Sequence, residues 1–183
     1  LQFEERSVVK APLLVVVCGL SFAGKTTLGS ALARRFNYKD VDVDLTKVRL
    51  YQVRFEDTAL EQEAWNRIYD ETDREIAQYL QSGTSVVDAS RNFRKEERSH
   101  ARRIAAQNNA DFLLIYIDTP EHIARMRLLA NRERHERVDW GNTSFDEIVQ
   151  AMEPPCEDEE RLVYHYKNDL EEWISKHSAE LTR

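Results

Sequence analysis

Two hydrophobic rhythms share this chain. Residues 13–18 are an unbroken apolar run, Leu-Leu-Val-Val-Val-Cys, as expected of a strand covered on both faces by helices. From residue 27 the spacing lengthens, and Leu28, Leu32 and Phe36 recur at i, i+4 and i+8. That interval predicts a helix with one buried stripe, running to residue 36. Residues 39–44 then read as a short strand. Leu60, Ala64, Trp65, Ile68, Ile76 and Leu80 mark a long amphipathic helix, with Gly83 placed to close its C-terminus. Further strands are expected over 84–88, 112–117 and 161–166, and further helices over 94–107, 144–152 and 170–177. Another helix follows Thr119-Pro120 through residue 129, with Thr as its cap and Pro in its first turn. Pro154-Pro155 breaks the pattern before the last strand. Strands alternating with helices predict a three-layer α/β fold.

Length and charge narrow the classes. At 183 residues the chain reads as one domain spanning 1–183. The formal charge of −7 disfavours nonspecific nucleic-acid binding over a broad surface. No segment approaches the roughly 18–20 apolar residues that cross a bilayer, and no signal peptide is visible, so no membrane partner is expected. Two cysteines are too few for a disulfide framework, which points to a reducing cytoplasm. A domain of this size is expected as a monomer or a small homo-oligomer.

The junction between the first strand and the first helix carries the chemistry. Gly19-Leu20-Ser21-Phe22-Ala23-Gly24-Lys25-Thr26 is a complete phosphate-binding loop, and strand–turn–helix is the context in which it works. Gly19 and Gly24 let the backbone approach phosphate oxygens, and the helix N-terminus faces the same charge. Lys25 is placed for the β- and γ-phosphates, Thr26 for a Mg²⁺ ion, and Thr27 for a peripheral phosphate contact. Asp88 ends a strand. In a parallel sheet, ligands gather at carboxyl ends, so it is the candidate to hold a metal-bound water, with helix capping as the competing role.

Asp40, Asp42 and Asp44 alternate with Val41, Val43 and Leu45, putting the acids on one face of a strand. An edge strand tolerates such a row and is protected by it. Asp44, read as the last residue of that strand, is the candidate base that takes a proton from an acceptor hydroxyl; Asp42 is the alternative. Arg49 and Arg91 are candidate substrate contacts. Arg125, Arg127, Arg132, Arg134 and Arg137 cluster in an otherwise acidic chain and suit phosphate oxygens. Arg132 is the first choice to stabilise transferred charge, with Arg125 or Arg127 second and both assigned to the nucleotide. A lid is expected over about 131–142 and a substrate-side segment over about 45–59.

In order, Gly19 to Thr27, Val41-Asp42-Val43-Asp44, Val86-Val87-Asp88-Ala89-Ser90-Arg91, and Tyr116-Ile117-Asp118-Thr119-Pro120 followed by Arg127 and Arg132 resemble a known set. They are similar to the P-loop kinases of the nucleoside-monophosphate-kinase superfamily, especially the small zeta-toxin, polynucleotide-kinase and chloramphenicol-phosphotransferase-like group. The resemblance implies a five-stranded parallel sheet in order 2-3-1-4-5, with ATP and Mg²⁺ as donor and a hydroxyl as acceptor. It implies Asp44 at the base position, Arg132 in the lid, and residues 166–169 near adenine. These kinases often carry an Arg three residues after the base; here that residue is Lys47. The favoured expectation is transfer of the γ-phosphoryl group to a small metabolite, nucleoside or antibiotic. A polynucleotide 5′-hydroxyl kinase and a regulatory NTPase acting through a protein partner are the alternatives. GTP specificity lacks support, because no Asn-Lys-x-Asp element follows a strand.

Overall fold

The computed structural model describes residues 10–53, 60–134 and 141–183. Its first strand, β1 (Leu13–Cys18), is the apolar run, and every residue in it is buried. Alternate side chains serve opposite faces. Leu13, Val15 and Val17 join one core; Leu14, Val16 and Cys18 join the other. Each aliphatic side chain fully removed from water contributes about 1.5–3 kcal/mol, so β1 alone anchors both layers.

The remaining elements follow in chain order: α1 (Lys25–Phe36), β2 (Lys39–Val41), α2 (Val43–Tyr51), α3 (Gln62–Gln81), β3 (Val86–Asp88), α4 (Lys95–Gln107), β4 (Asp111–Asp118), α5 (Glu121–Arg134), α6 (Gly141–Ala151), β5 (Arg161–His165), α7 (Leu170–Lys176) and α8 (Ser178–Leu181). All four strand pairings are parallel, and the order is β2-β3-β1-β4-β5. This is the three-layer α/β fold and the strand order expected from the sequence. Helices α1, α7 and α8 supply Leu28, Leu32, Trp173, Ile174 and Leu181 to one face. Helices α3 and α4 supply Ile76, Leu80, Ala101 and Ile104 to the other. Gly83 sits at φ 78° and closes α3 as expected: its N–H bonds Leu80 O, and Thr84 N–H reaches back to Tyr79 O. Among the described residues no helix is long and apolar enough to cross a membrane.

Two local expectations are corrected. The strand expected over 39–44 stops at Val41, because Asp42 turns the chain. Its carboxylate accepts the Asp44 N–H at 2.7 Å and caps α2, placing Asp44 in a first helical turn rather than at a strand end. Thr119 does not cap α5. Its hydroxyl donates instead to Ala23 O at 3.1 Å, and Pro120 O receives the N–H groups of Ile123 and Ala124. The expected lid over 131–142 is in part regular helix: residues 131–134 finish α5 and 141–142 begin α6, while 135–140, with Arg137, lie outside the described residues.

Helix α1 lies unusually close to β3. A Cβ built on Gly29 would stand 2.7 Å from Ala89 Cβ and 3.4 Å from Val87 Cγ1. This approach sets the phosphate-loop helix against the strand that ends in Asp88. Gly29→Ala gains about 0.5–1 kcal/mol of helix propensity, but overpacking costs about 1–3 kcal/mol. The clash wins, because both opposing atoms sit on or next to a strand held in mid-sheet. Urea unfolding is expected to show a lower midpoint at constant m-value; an unchanged or raised midpoint would show that the layers part freely.

Candidate functional site

Residues 19–24 bridge β1 and α1 with three positive φ angles: Gly19 at 147°, Phe22 at 61° and Gly24 at 115°. At Gly19 a Cβ would meet the Ile117 carbonyl oxygen at 3.1 Å, so the end of β4 also demands glycine there. The loop is tied by outside donors. Lys25 Nζ spans back to Gly19 O and Leu20 O, both at 2.9 Å. Arg127 donates to Ala23 O at 2.8 Å and Phe22 O at 3.3 Å, and Thr119 takes the second position on Ala23 O. Gly24, the N-cap residue of α1, has no side chain to serve the first-turn N–H groups. Those donors and the positive end of the helix are left for an anion. Thr26 and Thr27 are exposed beside them.

Asp88 is fully buried at the end of β3, in register with Val16 on one side and Val41 on the other. Four donors surround its carboxylate. Ser90 N–H (3.2 Å) and Ser90 Oγ (3.0 Å) reach Oδ1, while Arg91 Nε (3.2 Å) and Asn92 Nδ2 (2.9 Å) reach Oδ2. A carboxylate so engaged suits a metal through an intervening water better than by direct ligation. Ser90 Oγ also accepts the Val43 N–H at 3.1 Å, clamping the start of α2 to the end of β3. That clamp delivers Asp42 and Asp44 to the carboxyl ends of the strands by a route other than a long β2.

Asp44 is half-buried and faces the buried Lys47 at 3.4 Å, the i, i+3 pair noted in the sequence. Burial pushes the Asp44 carboxyl above its ordinary value, with Lys47 pulling it back down. Burial also raises Asp42, helped by the nearby Asp44 and Asp88 charges and opposed by the backbone N–H groups that it accepts. Asp40 points elsewhere, accepting the Ser30 hydroxyl at 3.1 Å.

The arginines divide sharply. Arg91 is nearly buried. Its guanidinium bridges Asp88 to Asp73 on α3 and lies 5.7 Å from the Tyr69 ring centroid. Arg127 reaches the phosphate loop. Arg49 is drawn to α3, 2.9 Å from Glu75 and 4.0 Å from Glu71. Arg125 binds Glu121 and Asp146, each at 2.7 Å, and stacks 4.8 Å from the Phe145 centroid. It therefore ties α6 to α5, and the Phe145 ring belongs to a small core against which Leu20 and Phe22 of the loop pack. Arg132 is half-buried in the last turn of α5, off the helix face formed by Arg127, Asn131 and Arg134.

Two cavities flank this centre. One, of about 340 Å³, is lined by Phe22, Gly24, Thr27, Arg127, Tyr164 and Tyr166 among others. It runs from the phosphate loop toward the connection after β5. The second, of about 270 Å³, lies between α3 and α4, with Arg91, Asn92, Tyr69 and Asp73 in its wall. Sequence reasoning missed Tyr69, Asp73 and Asn92, for which the chain carries no local signal; Arg134, named there within the arginine cluster, lines the first cavity.

Comparison with solved structures gives the same fold throughout the chain. Chaetomium thermophilum Kti12 in complex with ADP-AlF3 is 16% identical, with 93% of this chain and 99% of that chain covered at a TM-score of 0.67. Mycobacterium tuberculosis APS kinase in complex with AMPPNP and APS is 17% identical, covering 93% and 97% at 0.65. A gluconokinase from Sinorhizobium meliloti 1021 is 18% identical, covering 94% and 93% at 0.62. These likenesses single out no subgroup, the zeta-toxin, polynucleotide-kinase and chloramphenicol-phosphotransferase-like one included. No curated protein matches the chain in sequence. Residues 14–155 match the AAA domain family, well over half the chain, and the protein belongs to that family, with a P-loop NTPase domain.

Proposed function

We propose that the protein is an ATP-dependent kinase that transfers the γ-phosphoryl group to a hydroxyl of a small metabolite. The observation that carries this reading is a second carboxylate fixed next to the one that ends β3: Ser90 Oγ donates to Asp88 and accepts the Val43 N–H, which sets Asp44 in the first turn of α2. A nucleotide-sized cleft opens on the α5 and β5 side of the phosphate loop, and a smaller cavity lies between α3 and α4, with Arg91, a partner of Asp88, in its wall. A regulatory NTPase has no need of an acceptor-side base. The folds shared with APS kinase and gluconokinase fit the same reading.

The roles follow from position. Residues 19–24 and Lys25 hold the β- and γ-phosphates, and Arg127 contacts the nucleotide beside Thr27. Tyr164 and Tyr166 line the base end of the cleft. Mg²⁺ fits the exposed hydroxyl of Thr26, with Asp88 orienting a water; when bound it neutralises charge on the β- and γ-oxygens. Asp44 takes the acceptor proton as the hydroxyl oxygen bonds the γ-phosphorus. The bond from that phosphorus to the β,γ-bridging oxygen breaks, and ADP leaves with its electron pair. Arg132, on the helix that already reaches the loop through Arg127, supplies charge to the transferred group.

The test is a labelled-ATP screen with Mg²⁺ against sugars, nucleosides, antibiotics and 5′-hydroxyl oligonucleotides, with products identified by mass. Acceptor-dependent ADP release, with a product heavier by one phosphoryl group, is expected. ATP hydrolysis indifferent to every acceptor would instead favour the regulatory reading.

A further inference from the structure

Asp88 is a fully buried carboxylate, and its neighbours decide how much of its charge is left for a cation at the phosphate loop. Three of its four donors, Ser90 N–H, Ser90 Oγ and Asn92 Nδ2, are neutral groups that orient the carboxylate without cancelling its charge. The fourth is Arg91, whose Nε lies 3.2 Å from Asp88 Oδ2. A guanidinium stays ionised at any working pH. Left to Asp88 alone, it would neutralise the carboxylate, repel a second cation and compete with that cation's water for the same oxygen.

The structure gives Arg91 a second anchor. Its Nη2 donates to Asp73 Oδ1 on α3, and the guanidinium lies 5.7 Å from the ring centroid of Tyr69, one turn earlier on the same helix. The Arg91 side chain is 10% exposed and that of Asp73 19%, so solvent screens this pair far less than a surface pair. Asp73 is itself held in place: His100 Nε2 on α4 lies 2.6 Å from Oδ2, the oxygen that Arg91 leaves unused. The charge of Arg91 is therefore divided, and Asp73 takes a share that Asp88 would otherwise face undiluted.

Resting on the reading of Asp88 in the proposed kinase, we propose that Asp73 is a positioning residue for the metal site. Its carboxylate holds Arg91 on the α3 side and leaves the charge of Asp88 available to a water of the Mg²⁺ ion. Neutralising Asp73 would return Arg91 wholly to Asp88 and add one net positive charge to the neighbourhood. Both effects oppose a metal ion, so the sign of the outcome does not depend on their proportion. Neither opposes metal-free nucleotide, whose phosphates meet the loop.

The experiment titrates AMPPNP into the full chain by calorimetry, once in EDTA and once in saturating Mg²⁺. The ratio of the two affinities is the gain due to the metal. Asp73→Asn keeps the side-chain shape and an acceptor for Arg91 but loses the charge. It is expected to shrink the gain about fivefold or more, with metal-free affinity unchanged within about twofold. Asp73→Glu restores the charge and should recover most of the gain. A gain in Asp73→Asn equal to or above that of wild type overturns the inference and leaves the kinase reading standing. So does an equal loss in the Asn and Glu variants, which would assign Asp73 to shape, or a parallel loss of metal-free affinity, which would make it a prop of the fold. A wild-type affinity indifferent to Mg²⁺ overturns the metal role of Asp88 and this inference with it.

Discussion

Lys25→Ala is expected to lower acceptor phosphorylation by about 10³-fold or more at saturating ATP, the scale lost when a charge aimed at a transferring phosphoryl group is removed. That factor corresponds to about 4 kcal/mol of transition-state stabilisation. The ammonium has two jobs, and they separate experimentally. With Nζ bonded to Gly19 O and Leu20 O at 2.9 Å, it holds the loop closed. Two such bonds to a charged group contribute about 1.5–3 kcal/mol each at most. Arg127 and Thr119 still tie the other side of the loop at Phe22 and Ala23. Nucleotide binding should therefore weaken but persist, while turnover collapses. Lys25→Arg should not restore it, since a planar fork cannot occupy the place of a compact ammonium between two carbonyls. Isothermal titration with an ATP analogue, set beside single-turnover transfer, reads the two effects. Transfer at the wild-type rate in the alanine variant would sink the phosphate-loop account.

The strand–loop–helix unit was legible in the sequence because each of its constraints is local. An apolar run with no polar interruption has few uses except a strand buried on both faces. Glycines at 19 and 24 mark positions where the backbone takes φ of 147° and 115°. The 2-3-1-4-5 strand order was different: periodicity yields elements, not neighbours, and the order came from resemblance. Helix α2 escaped for a physical reason. Its buried residues, Val43, Thr46 and Lys47, have helical spacing, but two of the three are polar. An apolar stripe was the signal sought, and the alternating Asp-Val pairs offered a strand instead. Asp42 was the cue, an acid able to cap a helix starting at the next residue.

At the site the same distinction holds. Lys25, Thr26 and Asp88 are placed by elements whose ends the sequence marks. Asp73 and Tyr69 are not, since the face of α3 one residue round from Ile68, Thr72 and Ile76 reads as solvated surface. The partner of Asp73, Arg91, is 18 positions away. Arginine is ambiguous in the same way. Arg125 and Arg127 are two residues apart, yet one holds a neighbouring helix and the other the phosphate loop. Helical phase decides which, and composition is blind to phase.

Asp44→Asn carries the second large effect, an expected loss of about 10²–10⁴-fold in acceptor phosphorylation, the usual contribution of a positioned general base, with ATP affinity nearly intact. The electrostatics separate this loss from damage to the fold. Burial raises the carboxyl above its unfolded value, against the pull of Lys47. A group raised in this way stabilises the native state below the unfolded pKa of about 3.9, and that contribution is lost as pH climbs through the folded pKa. At neutral pH the ionised side chain is thus a net cost, which a neutral isostere removes. The variant should melt no lower than the wild type. The reaction needs the opposite state, because only the carboxylate accepts a proton. In the wild type, kcat/KM should therefore rise with pH along an acid limb displaced above the ordinary carboxylate range, and the residual activity of Asp44→Asn should lack that limb. A variant that keeps both the wild-type rate and the acid limb would remove Asp44 from the proton's path and return Asp42, the capping carboxylate one turn-start away, as the group to test.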